Sequence, residues 1–179
     1  MSRQYFADVL TEPVNSAYTT ITATTETVLI PTALVSVPAN EPRAGKIYEL
    51  TVGGTFTSGA SGTMTITPRY GLVIGGTSLG ASGAQTVVPS ITTAPFLYRC
   101  LLVIRSVGLP GANSTVVCTG KWESAGAAGT ASSQTSVHHG TVGAAISVDT
   151  SVASGLWIGI TCSVAPSIIP LWHMWRSLN

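Results

Sequence analysis

Apolar and polar positions alternate with a period of two along residues 46–70, and this is the strongest pattern in the chain. From Tyr48 onward the even positions carry apolar residues or glycine and the odd positions are mostly polar. The alternation returns after a turn at residues 58–62. A strand with one buried and one solvated face produces this pattern. The pattern therefore predicts a long β-hairpin, with residues 46–57 and 63–70 as its arms.

Residues 96–107 break the rule of one apolar face, because both of their faces are apolar. A strand of this kind is covered on two sides, or one of its faces meets another subunit. The second face carries Leu97, Leu101 and Val103, which are therefore candidate interface residues. The scarcity of charge and this doubly apolar strand together predict a homo-oligomer, most simply a homotrimer.

The remaining strands are short and are bounded by Gly, Pro, Asn and Ser. Residues 124–143 are small and polar, which predicts a long exposed loop or a strand with weak register. The chain shows eight or nine strands and no convincing long amphipathic helix. This predicts an all-β fold, a β-sandwich or a barrel. Strands that must return across the long hairpin favour a jelly-roll-like β-sandwich.

The two ends of the chain carry aromatic residues without clear alternation. We predict an extended N-terminal arm over residues 1–24 and a single β-sandwich domain over residues 25–179, including an aromatic C-terminal tail. Aromatic side chains are common interface anchors, because they bury a large area with few rotamers to freeze. The alternative is that the tail tryptophans close the core of their own sandwich. The candidate terminal anchors are Tyr5, Phe6, Trp172 and Trp175.

Charged residues form only 8% of the 179 residues, against about 25% in typical domains. A surface this poor in charge favours burial against copies of the chain or within a larger assembly. The net charge of +1 gives no drive toward nucleic acid or membranes. There is no apolar run of membrane-spanning length and no secretion signal, so we expect synthesis in the cytoplasm. Three widely spaced cysteines are then expected to be free buried thiols.

The carboxylates and histidines form no recognisable catalytic or metal motif. Glu49 and Glu123 could be brought together by a sheet as a glycosidase pair, but charged residues on a solvated strand face are the simpler interpretation. His138 and His139 point to opposite sides of an extended strand, which makes them a poor metal chelate. We therefore expect no catalytic residue, no metal site and no cofactor, and hence no enzyme.

Several longer segments resemble one known group of proteins. They are VPAN followed by AGKIYELTVGGTFTSGASGTMTITPRYG, the loop GGTSLG, the strand FLYRCLLVIRSVG and the late segment VDTSVASGLWIGITCSVA. Together they resemble the jelly-roll proteins of tailed-bacteriophage virions, most of all the head decoration (cement) proteins. The resemblance covers residues 35–165 and leaves out the N-terminal arm and the tail at residues 171–179.

The resemblance implies a structural protein of the capsid surface, made in the host cytoplasm. Its partners would be the major capsid protein and further copies of itself in a trimer, and it offers no catalytic residues to carry over. A receptor- or carbohydrate-binding module of a phage tail or head fibre is the alternative, with Trp157 on the polar side of its strand as a platform for a sugar ring. A hydrolase with an irregular site is a third class, and it would need activity to be demonstrated.

Overall fold

The structure is a computed structural model that describes residues 7–11, 18–59, 61–71, 75–111, 113–125 and 135–178. Two antiparallel sheets pack face to face, and in this part of the chain the only helical element is a 3-10 turn at Thr32–Leu34. The predicted all-β sandwich is confirmed. No helix in the described residues is long and apolar enough to span a membrane.

The described part of the chain forms thirteen strands. Several of them contain only two or three residues, which is why the sequence pattern indicated fewer. They are β1 (Ala7–Thr11), β2 (Thr27–Val28), β3 (Ser36–Val37), β4 (Ile47–Ser58), β5 (Gly62–Gly71), β6 (Thr77–Ser78), β7 (Gln85–Val87), β8 (Ile91–Ser106), β9 (Ser114–Ser124), β10 (Thr135–Gly140), β11 (Ile146–Val148), β12 (Ser154–Cys162) and β13 (Ser167–Leu178).

The larger sheet has seven strands in the order β1-β13-β4-β8-β9-β10, with β11 also paired to β9. The smaller sheet has six, in the order β2-β12-β5-β6, with β3 beside β12 and β7 beside β5. In the larger sheet, the run β13-β4-β8-β9 places the last strand of the chain next to the first long one. Between β4 and β8 the chain passes through β5, β6 and β7 of the smaller sheet, so these two neighbours are not the arms of one hairpin.

The predicted hairpin of residues 46–70 is wrong, although both of its strands exist. β4 pairs with β13 and β8, whereas β5 pairs with β12, β6 and β7. The turn between β4 and β5 therefore carries the chain from one sheet to the other. Alternation reports which face of a strand is buried, and both strands do bury their apolar faces in the same core. It does not report which strand lies alongside.

The core fills the space between the sheets, and large aromatic side chains lie at its centre. Trp122 stacks on Phe96, with ring centroids 4.0 Å apart, and meets the edge of Phe56 at 5.9 Å. Trp175 stacks on Tyr48 at 5.3 Å. Aromatic pairs in these geometries stabilise a core beyond the area that they bury. The inward positions predicted on β4, β5 and β9 are confirmed by their burial.

A β-bulge in β13 determines which tail tryptophan faces the core. Pro170 pairs with Gly54 and Trp172 with the adjacent Gly53, so Leu171 is an extra residue on β13. An extra residue inverts the alternation of the strand beyond it. Trp172 therefore points away from the core, and Trp175 points into it.

Among the candidate anchors, the structure contradicts the prediction for Trp175. Its side chain is completely buried, and its indole N–H donates a hydrogen bond to the carbonyl of Ser36 at 3.0 Å. It therefore cannot supply accessible surface to a partner, and the alternative interpretation, that a tail tryptophan closes the core of its own sandwich, holds for Trp175.

Part of the predicted N-terminal arm belongs to the larger sheet. Strand β1 pairs antiparallel with β13 at the sheet edge, and Ile21, which is buried, bridges to Ile168. Tyr5 and Phe6 lie outside the described residues. The boundary between residues 24 and 25 stays a prediction.

Candidate interaction face

The side of the larger sheet turned away from the core gathers most of the predicted interface residues. Strand register brings the outward side chains of four neighbouring strands into rows that cross the sheet. We call this surface the outer face. It consists of Ile47, Glu49, Thr51 and Gly53 on β4; Leu97, Arg99, Leu101 and Val103 on β8; Val117, Thr119, Lys121 and Glu123 on β9; and Trp172, Met174, Arg176 and Leu178 on β13.

One end of the outer face is an exposed apolar row formed by Trp172, Gly53 and Leu97. These residues are neighbours in the register of three adjacent strands. A Cβ atom added to Gly53 would lie 2.3 Å from Cε2 of Trp172, so the indole rests on the glycine backbone. Trp172 is 41% exposed and Leu97 37%. The absent side chain of Gly53 therefore lets the indole lie close against the sheet.

Two further exposed apolar side chains extend this row along β13. Leu171, the extra residue of the bulge, is 45% exposed, and Ile169 is 37% exposed. A cluster of large exposed apolar residues is uncommon on a free monomer and typically marks an interaction site. Isolated exposed apolar residues also occur elsewhere, such as Leu109 in the turn after β8.

The other end of the outer face is apolar as well, but its side chains are less exposed. Leu178, Ile47, Val103 and Val117 lie side by side on β13, β4, β8 and β9. All four are half-buried, as is Leu101 in the middle of the face. The predicted candidates Leu97, Leu101 and Val103 therefore do lie on one surface, and Trp172 joins them there.

Every charged side chain in the middle of the outer face is paired with a side chain of opposite charge. The Glu49 carboxylate accepts hydrogen bonds from Arg99 on β8 at 2.8 Å and from Arg176 on β13 at 2.7 Å. Burial raises the pKa of Glu49, but the two guanidinium groups outweigh it and hold the pKa below its ordinary value. On β9, Lys121 pairs with Glu123 at 2.5 Å. Paired charges cost less to cover than isolated ones, because each retains its partner when water leaves.

These contacts correct the expectation that the odd positions of β4 are solvated. Glu49 and Thr51 are only 4% and 6% exposed. For Glu49 the reason is its position between two arginines from neighbouring strands. Glu49 and Glu123 are also separated by β8 and bound to different cations. The geometry does not bring them together as a catalytic pair.

The two adjacent histidines of β10 separate as the alternation predicts. His138 is exposed, with its Nε2 3.1 Å from the Ser136 hydroxyl. His139 is buried, and its Nε2 lies 2.7 Å from the hydroxyl of Tyr98. No group of three or more His, Cys, Asp or Glu side chains in the described residues is arranged to hold a metal ion.

Trp157 is the second tryptophan whose predicted place is wrong. It lies on the polar side of β12, but it is completely buried, and the Arg69 guanidinium lies 5.4 Å from its ring centroid. Both terminal oxygens of Glu26 hold that guanidinium, each at 3.0 Å. This cation–π contact and ion pair cover the indole, so Trp157 offers no platform for a sugar ring.

One pair of residues was missed by the sequence reasoning, which treated the cysteines as separate buried thiols. Cys100 and Cys118 lie on adjacent strands with their sulfur atoms 3.2 Å apart. The available signal was that both are inward positions on consecutive strands joined by a short turn. The register that brings them together could not be read from the pattern.

Comparison with known proteins adds no relative to this picture. No protein-family model matches the chain, and no curated protein or solved structure is significantly similar to it.

Proposed function

We propose that this chain is a structural protein of a phage virion that binds to and stabilises the capsid surface as a decoration protein. The observation that carries the proposal is the outer face, a broad sheet surface with an exposed apolar row and charges that are all paired within the face. Protein–protein interfaces are enriched in aromatic side chains, methionine and arginine, and the outer face carries Trp172, Met174 and two arginines. The sequence resemblance supplies the partner, a capsid surface formed by the major capsid protein.

Within this proposal Trp172 and Leu97 are the principal contacts with the capsid. Interface energy is concentrated in a few anchors, among which tryptophan is prominent. The indole of Trp172 is held against Gly53, so little side-chain freedom remains to be lost on binding. The half-buried apolar residues at the other end of the outer face extend the contact.

We also propose that the protein acts as a homotrimer, as the resemblance implies. Three copies bound side by side on a capsid lattice would combine weak individual contacts through avidity. Sedimentation velocity at micromolar concentration tests this directly. A trimer supports the assembly, whereas a compact monomer in solution together with isolated single copies on the particle contradicts it.

The capsid proposal is tested by rebinding the purified protein to particles that lack it. Trp172→Ala and Leu97→Ala should each weaken occupancy at least tenfold, because each removes a large side chain of the exposed apolar row. Leu109→Ala is the matched control for Leu97→Ala, since it removes a leucine side chain from an exposed turn outside the outer face. If both variants fold and occupy particles like the wild type, the outer face is not the capsid contact. Cryo-electron microscopy of the source virion would show the bound surface.

Carbohydrate or receptor binding is the second candidate, and the exposure of Trp172 is the observation that favours it. An exposed indole could stack on a sugar ring in the way first considered for Trp157. A glycan array separates the two candidates. Binding that is lost in Trp172→Ala would favour the receptor-binding module, and an array without binding would favour the capsid role.

A further inference from the structure

A pair of thiols lies inside the sandwich, on strands β8 and β9 that also build the outer face. Cys100 pairs with Gly120 and Cys118 pairs with Leu102, so the two cysteines are diagonal neighbours on the inward side. Their sulfur atoms are 3.2 Å apart. All three cysteines of the chain are buried and free. A disulfide needs a sulfur separation of about 2.05 Å, so the pair has to close by roughly 1 Å.

The surroundings of this pair contain a base. Gly120 leaves room for the imidazole of His139, since a Cβ on Gly120 would lie 2.4 Å from its Nε2. That Nε2 lies 2.7 Å from the Tyr98 hydroxyl, and the buried Nδ1 has no hydrogen-bond partner among the described residues. Three strands thus bring a histidine, a tyrosine and two thiols into one buried cluster.

The cluster makes the two thiols chemically different. Burial raises the pKa of Cys100, but the hydrogen bond with Cys118 and the nearby imidazole of His139 outweigh burial and lower the pKa to about 6. The pKa of Cys118 is raised, first by its hydrogen bond to Cys100 and then by burial. The arrangement therefore favours the thiolate on Cys100 and the protonated form on Cys118. A thiolate is the nucleophilic form of cysteine.

We propose that Cys100 and Cys118 form a redox-active pair that hydrogen peroxide converts into a disulfide between β8 and β9. The Cys100 thiolate attacks one peroxide oxygen, an S–O bond forms, the O–O bond breaks and hydroxide leaves. The sulfur of Cys118 then attacks the sulfur of Cys100, an S–S bond forms and the S–O bond breaks. The proton of the Cys118 thiol and the proton that Cys100 lost on ionising convert the two departing hydroxide groups into water. In total, two thiols and one peroxide give one disulfide and two waters.

This pair is independent of the proposed capsid function, because it lies on the opposite side of the sheet from the outer face. Cys162 provides an internal reference. It is buried on β12, in the other sheet, and burial raises its pKa to about 11. It therefore lacks the activation that the cluster gives to Cys100.

The test treats the folded protein with hydrogen peroxide, removes the peroxide, denatures the protein and alkylates it without reduction. Intact mass should show three adducts before oxidation, and one adduct with a loss of two hydrogen atoms afterwards. Peptide mapping should join Cys100 to Cys118 and find the adduct on Cys162. Three adducts after oxidation, or a link that includes Cys162, would overturn the proposal.

Two variants and a pH profile test the chemistry further. Cys162→Ser should leave the oxidised protein without any adduct, whereas Cys118→Ser should form no intramolecular link and should accumulate oxygen on Cys100 instead. His139→Gln should slow oxidation at pH 7 roughly tenfold or more, because it lowers the thiolate fraction, and the difference should shrink above pH 9. Equal rates at pH 7 would contradict the assignment of His139.

Discussion

Replacing Trp175 by alanine tests the claim that the C-terminal strand completes the core. The indole is completely buried, stacks on Tyr48 with an interplanar angle of 12°, and donates a hydrogen bond to Ser36. The substitution removes all three contributions and leaves a cavity between the two sheets. The variant should therefore be severely destabilised.

The size of the effect follows from these contacts. Truncating a buried aromatic side chain to alanine costs about 3–5 kcal/mol. The stacked pair contributes about 0.5–1.5 kcal/mol beyond its area, and the lost hydrogen bond about 1 kcal/mol. These contributions overlap, so we expect a loss near the upper end, about 5 kcal/mol. Many domains have a total stability of only about 5–15 kcal/mol, so Trp175→Phe, which keeps a ring beside Tyr48, provides a milder variant with an expected loss of about 2 kcal/mol.

Chemical denaturation followed by far-UV circular dichroism measures the change in the free energy of unfolding, provided that the denaturant slope is constant. Trp172→Ala is the matched control. It removes the same side chain from the same strand, but water already reaches the ring and no closed cavity forms, so the cost should be about 1 kcal/mol. Equal losses for the two alanine variants, or a loss below about 1 kcal/mol for Trp175→Ala, would refute the assignment of Trp175 to the core and Trp172 to the surface.

Three further predictions follow from the same contacts. Gly53→Ala should push the Trp172 indole off the sheet and increase quenching of tryptophan fluorescence by iodide, whereas Gly59→Ala, with open space around its Cβ, should not. Because the pKa of Glu49 is lowered in the fold, its contribution to stability is present above about pH 4.5 and is lost as the pH falls through the folded pKa. Glu49→Gln should therefore make the denaturation midpoint less dependent on pH between about pH 5 and 3. Burial lowers the pKa of His173, so stability should fall as the pH drops from about 7 to 5, and His173→Gln should remove that slope in the same measurement.

The strands could be located from the sequence because alternation is a local property of the backbone. Successive side chains of an extended chain point to opposite faces. A strand with one buried face therefore has apolar residues at every second position of its sequence. β4, β8, β9 and β12 were found in this way. The inward positions Tyr48, Leu50 and Val52 were correctly placed in the core.

Strand partners were not accessible in the same way, since pairing joins residues far apart in the chain. β4 and β5 alternate like the arms of a hairpin, but they lie in different sheets. The alternation shows only that one face of each strand is buried. Strands of either sheet bury that face in the same core, so the pattern does not tell which sheet a strand belongs to. The proximity of Cys100 to Cys118 and the place of Glu49 between Arg99 and Arg176 depend on register in the same way.

The tail shows how one residue changes the outcome. Uninterrupted alternation from the buried Ile168 would place Trp172 in the core and Trp175 outside. The extra residue Leu171 reverses both positions, because a β-bulge lets two residues of one strand oppose one residue of its neighbour. Composition showed that the tail is rich in aromatic residues, but the side of the sheet that each one faces depends on how β13 fits against β4. At the bulge, β13 lies against Gly53 and Gly54 of β4, which have no side chains to obstruct it.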